Sequence, residues 1–183
     1  DTRITDWSTP ANGYMNGTLP MWPWEKKTNA IRLLEKNNIS FDVSTYEVDE
    51  NSLDAISVAN KINAPVNIVY KTLVTVNDKK QYFVFVIPGD KELNLKKAAA
   101  ITQSKKIDLI KQAELQPLTG YIRGGTSPVG MKKPFPTFIH QDAQNLDYFF
   151  VSGGMRGIQI KINPLTLANF INAQFGDLIW SFW

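Results

Sequence analysis

The segment Gly120–Pro136, GYIRGGTSPVGMKKPFP, concentrates the residue types that build an oxygen-binding loop. Gly120, Gly124, Gly125 and Gly130 surround Ser127-Pro128, and Lys132 and Lys133 follow. Glycine loses much backbone entropy on folding, so it is placed where φ is positive or where another group must approach the main chain. Bare backbone N–H groups followed by two lysines suit a carbonyl, carboxylate or phosphate oxygen. A second small-residue loop, Ser152-Gly153-Gly154 with Gly157, lies further along. A lone Gly-Gly pair is ordinarily a tight turn. Two such loops, each joined to an apolar β-like run, favour a binding site.

Lys71 is the third feature with chemical potential. In Val69-Tyr70-Lys71-Thr72-Leu73-Val74, a strand's period of two places Val69, Lys71 and Leu73 on one face, and Tyr70, Thr72 and Val74 on the other. A lysine flanked by Val and Leu either snorkels out along an edge or contacts a carbonyl or phosphate in a pocket. The single histidine, His140, sits in Phe138-Ile139-His140-Gln141-Asp142, where a strand ends in a turn, and a structural role is expected. There are no cysteines, which excludes a thiol nucleophile, a disulfide scaffold and cysteine-ligated zinc. Nor do His and carboxylates cluster at the short spacing a metal site needs, so no metal or cofactor is expected. Gly125–Gly130 has P-loop spacing, but Met131-Lys132 follows instead of Lys-Ser or Lys-Thr, so nucleotide hydrolysis is unsupported. An enzyme built from these residues lacks a nucleophile–base pair. It must work through positioning, backbone oxyanion contacts and a group on the substrate itself.

The elements that would carry these residues are legible in outline. Thr28 reads as the N-cap of a helix with Ala30, Ile31, Leu33 and Leu34 as its apolar stripe, ending at Asn37-Asn38. A strand is predicted near Asp42–Val48. Ser52 is expected to cap a second helix through Leu53, Ile56, Ala59 and Ile62, stopped by Pro65. Val69–Val76 and Tyr82–Ile87 read as a hairpin around Asn77–Lys80. Helical segments are predicted near Leu93–Ile101 and Ile107–Ala113, then strands near Thr137–His140, Tyr148–Val151 and Gln159–Ile162. Asn163-Pro164 forms an N-cap and N1 pair for a last helix through Asn172. Strands and helices mix without a repeating βαβ unit, which predicts an α+β fold around a mixed sheet.

Composition sets the outer limits. The chain has 183 residues, of which 43% are hydrophobic and 20% charged, enough for one domain with a proper core. No run is long and apolar enough to span a membrane, and the start lacks the basic and apolar regions of a signal peptide. A cytoplasmic location is the expectation. The formal charge is +3, and between Lys91 and Lys133 nine basic residues face only Glu92, Asp108 and Glu114. Such an excess beside glycine loops matches a polyanion-binding surface, since phosphate neutralisation carries most nucleic-acid affinity. Residues 1–25 differ in kind: Trp7, Trp22 and Trp24 are set among Gly, Pro, Asn and Thr, with no helical or strand period. They read as an extension, open to being an artificial leader, attached to a domain at 26–183.

From Lys26 to about Leu178 the chain resembles the YbaK family of aminoacyl-tRNA deacylases, relatives of the editing domain of bacterial prolyl-tRNA synthetases. The segments that carry the resemblance are AIRLLEKNNISFDVSTYEVD, VYKTLV, LNLKKAA, TGYIRGGTSPVGMKKPFPTFI and VSGGMRGIQI, in order over nearly the whole domain. Within the family it is most similar to the Cys-tRNA(Pro) deacylase branch. The resemblance implies a single α+β domain with a mixed, mostly antiparallel sheet flanked by helices. It places the family lysine on Lys71 with Thr72 beside it, and the family tyrosine on Tyr46. The G-x-x-x-P element falls on Gly124–Pro128, including Gly125 and Ser127, and the S-G-G loop on Ser152, Gly153 and Gly154. Gln159 stands where relatives carry an aspartate, keeping an acceptor but losing the charge expected to meet the substrate's α-ammonium. His140 also replaces a family aspartate, with little consequence expected.

The resemblance implies hydrolysis of the ester that joins a mismatched amino acid to tRNA, Cys-tRNA(Pro) foremost. Gly124 and Gly125 would hold the ester carbonyl, Lys71 the adenosine–phosphate end, and Tyr46 and Thr72 the orientation. Implied partners are the tRNA acceptor end and, in a transient complex, prolyl-tRNA synthetase. Two other classes stay open at this stage. One is a non-catalytic or regulatory module that binds an aminoacyl group or nucleotide in the same pocket. The other is an interaction protein that engages a partner through the Trp-rich extension.

Overall fold

The computed structural model describes residues 27–181, so the Trp-rich segment at 1–25 lies outside the described residues. Its strands are β1 (Asp42–Thr45), β2 (Tyr70–Asn77), β3 (Tyr82–Pro88), β4 (Ile107–Leu109), β5 (Thr137–His140), β6 (Phe149–Ser152), β7 (Ile158–Ile162) and β8 (Gln174–Gly176). Its α-helices are α1 (Asn29–Lys36), α2 (Ala55–Lys61), α3 (Leu95–Ile101), α4 (Gln112–Thr119) and α5 (Pro164–Ile171).

The Val-, Thr- and aromatic-rich run after Pro65 folds as the expected hairpin, with β2 antiparallel to β3 from Tyr70↔Pro88 to Val76↔Tyr82. Asn77 closes it: its Oδ1 accepts from the N–H groups of Lys79 and Gln81. The hairpin is the centre of a mixed sheet in the order β8-β5-β3-β2-β4. A second sheet, β1-β7-β6, is antiparallel throughout. A parallel bridge, Val69↔Phe150, joins the two. The class is α+β, as expected, with the strands divided between two sheets.

Strand β3 is apolar on both sides because both sides are covered. Val84 and Val86 face the second sheet, where Phe149, Val151, Ile158 and Ile160 pack with Ile31 and Leu34 of α1 and Leu167 of α5. Phe85 and Ile87 face the other way, against Phe138, Ala98 and Ala99 of α3, and Leu178. Each of these large side chains contributes about 1.5–3 kcal/mol by leaving water. A smaller cluster of Ala59, Val69 and Phe150 seats α2 over the junction of the sheets.

Capping agrees with the sequence at both ends of the fold. Thr28 Oγ1 accepts from the Ile31 N–H, and Asn163 Oδ1 from the Thr166 N–H. Three expectations are corrected. Asp54, not Ser52, caps α2, accepting from both the N–H and the hydroxyl of Ser57. Ile107–Leu109 is a strand rather than a helix, because it finds the open edge of β2 through Asn77↔Ile107 and Thr75↔Leu109; the helix follows at Gln112–Thr119 and runs through Pro117. Strand β1 stops at Thr45, and β8, which pairs parallel to β5, has no counterpart in the sequence expectations.

Candidate active site

Strand β2, the start of α2, the segment Leu109–Leu115, the turn around Gly124 and the ends of β6 and β7 enclose a cavity of about 380 Å³. Leu53, Ala55, Val58, Ile110 and Leu115 give it apolar walls. The α2 wall comes close only because residue 89 is glycine. A Cβ there would sit 2.1 Å from Ala55 Cβ and 2.8 Å from the Val69 carbonyl oxygen.

Two residues of the cavity wall each carry a buried, unpaired polar atom. Among the described residues, Thr72 Oγ1 and Gln159 Oε1 are the buried side-chain oxygens or nitrogens without a hydrogen-bond partner, and both residues line this cavity. Gln159 is 6% exposed and lies opposite Ser152 across β6–β7. An unsatisfied buried polar group costs about 1–3 kcal/mol, and native folds keep few of them. Two on residues that line one cavity mark its wall as the candidate site. Lys71 lines the same space and forms no ion pair among the described residues.

Lys71, Thr72, Gly124, Ser152 and Gln159 thus converge on the cavity, whereas Tyr46, Gly125, Ser127, Pro128, Gly153 and Gly154 are not among its lining residues. The Tyr46 N–H donates to Gly157 O at 3.0 Å, and its ring lies 5.9 Å from Lys61 Nζ. Gly125 donates its N–H to Ile122 O at 2.9 Å and packs against the Met155 backbone, where a Cβ would come within 2.9 Å of Cα. Ser127 Oγ accepts from the Val129 N–H, which stiffens the stretch that ends in Pro128 and Val129. The Gly153 carbonyl accepts from Thr28 Oγ1, and Gly154, at φ +102°, lies against Thr28 and Tyr121. These glycines bring backbones together; Gly124, at φ +83°, is the one that opens on the cavity. The sequence reading did not single out Arg123 and Thr126, which line the site from inside the quoted loop. Leu53, Ala55 and Leu115 carry no signal beyond ordinary apolar patterning.

Charge in the site is sparse. The Ser57 hydroxyl and N–H hold the Asp54 carboxyl below its ordinary value of 3.8. Burial pushes the Tyr70 phenol up, with the Asp142 carboxylate adding to the effect. Tyr121, buried behind the glycine loops, is pushed up to about 12 by the same loss of water. His140 lies away from the cavity and is a structural residue, as expected. Its effect is larger than expected, since Nδ1 accepts from the Leu178 N–H at 3.2 Å and Nε2 meets Asp142 Oδ2 at 3.3 Å. No histidine lines the cavity, and its carboxylate, Asp54, is engaged in capping α2. The cleft can bind, orient and polarise an oxygen-rich ligand, but among the described residues it holds no conventional nucleophile–base pair.

The fold and site define an α+β domain with a small ligand cleft at the junction of two sheets. The chain belongs to the aminoacyl-tRNA editing domain family, whose model matches residues 49–170. It is 40% identical over 154 residues to EbsC of Enterococcus faecalis, provisionally named a Cys-tRNA(Pro)/Cys-tRNA(Cys) deacylase, covering 84% of this chain and 94% of that one. A proline–tRNA ligase of Sulfurihydrogenibium is 28% identical over 118 residues, which is 60% of this chain and 20% of the ligase. A crystal structure described provisionally as a trans-editing enzyme for prolyl tRNA synthetase superposes with a TM-score of 0.74 at 25% identity, over 88% of this chain and 100% of the other. No described helix is long and apolar enough to cross a membrane.

Proposed function

We propose that the protein is a trans-editing hydrolase that deacylates mischarged tRNA, with Cys-tRNA(Pro) its foremost substrate and residues 26–183 its working domain. The supporting observation is that Lys71, Thr72 and Gln159 line one cavity, and that Thr72 Oγ1 and Gln159 Oε1 are buried there without a partner among the described residues. An aminoacyl ester on a terminal ribose offers what these groups lack: N–H and O–H donors and carbonyl oxygens. Lys71 takes the adenosine–phosphate side, Gln159 accepts from the substrate's α-amino group, and Gly124 supports the ester carbonyl.

With no unengaged base in the cleft among the described residues, cleavage relies on the substrate. The cysteinyl thiol sulfur attacks its own ester carbonyl carbon, forming an S–C bond as the C–O bond to the ribose breaks. The thiol proton passes to the departing ribose oxygen, and the thiolactone released hydrolyses in water. The protein contributes geometry and electrostatic support, which can supply several kcal/mol of a barrier. Prolyl-tRNA synthetase fits as a transient partner that delivers the mischarged tRNA.

The test is deacylation of Cys-tRNA(Pro), Ala-tRNA(Pro) and Pro-tRNA(Pro) by wild type and Lys71→Ala. Rapid loss of Cys alone, abolished by the substitution, is the expected result. Preference for Ala keeps ester hydrolysis but removes the thiol from the mechanism. No hydrolysis of any of the three leaves a module that binds an aminoacyl group or nucleotide without turnover.

A further inference from the structure

A cavity of about 380 Å³ lies near the small end of ligand sites. It holds the end of an acylated RNA, and the rest of that RNA must leave across the surface. One lip of the cavity is Leu109, which lines it yet is 53% exposed. Leu109 belongs to β4, the outermost strand of the larger sheet on that side. From the lip the chain runs back through β4 to Lys106 and Lys105 just before it, about 10–13 Å away at ~3.3 Å per residue.

Lys79 and Lys80, at the β2–β3 turn, stand beside them. Asn77 Nδ2 donates to Ser104 Oγ at 3.0 Å, and the Lys105 N–H donates to Asp78 Oδ1 at 3.2 Å, which locks the turn to the segment before β4. All four lysines are exposed. The nearby carboxylates do not cancel them. Asp78 accepts the Lys105 N–H and stays ionised, and Asp108 meets Lys106 at 3.6 Å between side chains 57% and 74% exposed, a contact worth about 0–1 kcal/mol, so four lysines against two carboxylates keep the ledge positive.

We propose that the ledge of Lys79, Lys80, Lys105 and Lys106 carries the phosphate backbone of the tRNA acceptor arm as it leaves the cavity over Leu109. This rests on the deacylase activity proposed above. Scattered surface lysines are merely solvated. Four held on one ledge, at the far end of a strand whose near end forms the lip of the cavity, complement a polyanion bound at that cavity.

The test variant combines Lys79→Ala, Lys105→Ala and Lys106→Ala with Lys80→Asn, because Lys80 has φ +61° and Asn accepts that conformation. A control variant, Lys27→Ala with Lys36→Ala, removes charge from the exposed ends of α1, away from the cavity lining. Each is assayed on Cys-tRNA(Pro) and on a cysteinyl ester of the trinucleotide CCA, with binding of uncharged tRNA measured in parallel. At moderate salt the ledge variant should raise KM for the full tRNA and its Kd about tenfold or more, keep kcat, and lower the salt slope by about 0.7–0.9 per lost contact. The trinucleotide ester should be hydrolysed as by wild type, and the control should match wild type on both substrates. If wild type cleaves both substrates and the ledge variant equals it on both, the ledge is overturned and the deacylase activity stands. The ledge is equally overturned if the control alone weakens tRNA binding. If wild type cleaves neither substrate, the deacylase activity itself falls and the ledge falls with it as a substrate track.

Discussion

Tyr121 donates its phenolic hydrogen to the Val129 carbonyl at 2.6 Å, and both glycine-rich loops close on this one side chain. A Cβ at Gly130 would lie 2.8 Å from the Tyr121 hydroxyl oxygen, and one at Gly154 would lie 3.1 Å from its ring. Much of the glycine content that looks like ligand recognition in the sequence therefore lets two loops meet over a buried tyrosine. The loops in turn present Gly124, Thr126 and Ser152 to the cavity.

Tyr121→Phe should lower stability by about 1–3 kcal/mol, because it leaves the buried Val129 carbonyl without its donor. It should also change the alkaline limb. Burial raises the Tyr121 phenol from 10.0 to about 12 in the folded protein. A raised value means the contribution is complete below the unfolded value and is lost as pH rises through the folded one. Denaturant titrations at neutral pH and between about pH 10 and 12 check this: the wild type should lose more stability over that interval than the variant.

Thr72→Val separates a ligand-facing hydroxyl from a structural one. The Thr72 hydroxyl has no partner in the folded protein, so a near-isosteric methyl removes an unsatisfied group and should leave the melting temperature equal or raised. Deacylation should nevertheless fall by about tenfold or more, the equivalent of one lost hydrogen bond to the substrate. A parallel loss of stability and activity would instead make Thr72 a structural residue.

Gly89→Ala tests the wall that α2 provides. Its new Cβ would overlap Ala55 Cβ and crowd the Val69 carbonyl, so α2 must shift outward. Overpacking of this kind costs about 1–3 kcal/mol. Because Ala55 and Val58 line the cavity, KM for the aminoacyl-tRNA should rise more than kcat falls.

Hairpin β2–β3 and helices α1 and α5 were legible because local signals agree with the fold. β-branched runs flank Asn77–Lys80, and Thr28 and Asn163 cap as their types suggest. Ile107–Leu109 was not, since three residues become a strand only where β2 leaves an edge open, which no local pattern announces. Strand β8 has the same origin, in β5. Within the site, Lys71, Thr72 and Gln159 were visible through family segments. Gly89 was not, because its reason is Ala55, more than thirty residues away in the chain. Ser52 looked like the α2 cap, yet Asp54 holds that place because only its carboxylate reaches both groups of Ser57.

Asp54 also links pH to the shape of the cavity. Its carboxylate accepts the Ser57 hydroxyl at 2.8 Å and the Ser57 N–H at 3.1 Å, which fixes the first turn of α2, with Leu53 and Ala55 on the cavity wall. These bonds, the hydroxyl first, lower the Asp54 value below 3.8. A lowered value means the contribution is complete above the unfolded value and is lost as pH falls through the folded one. Asp54→Asn keeps an N-cap acceptor without a titrating proton, so it should hold neutral-pH stability within a few tenths of a kcal/mol and flatten the decline below about pH 4. Asp54→Ala removes the cap and should cost about 0.5–2 kcal/mol at neutral pH. Denaturant titrations of the three proteins at neutral and acid pH distinguish these outcomes. If the Ala variant alone raises KM, the cap acts on function by seating α2; if the Asn variant raises it equally, the Asp54 charge itself meets the substrate.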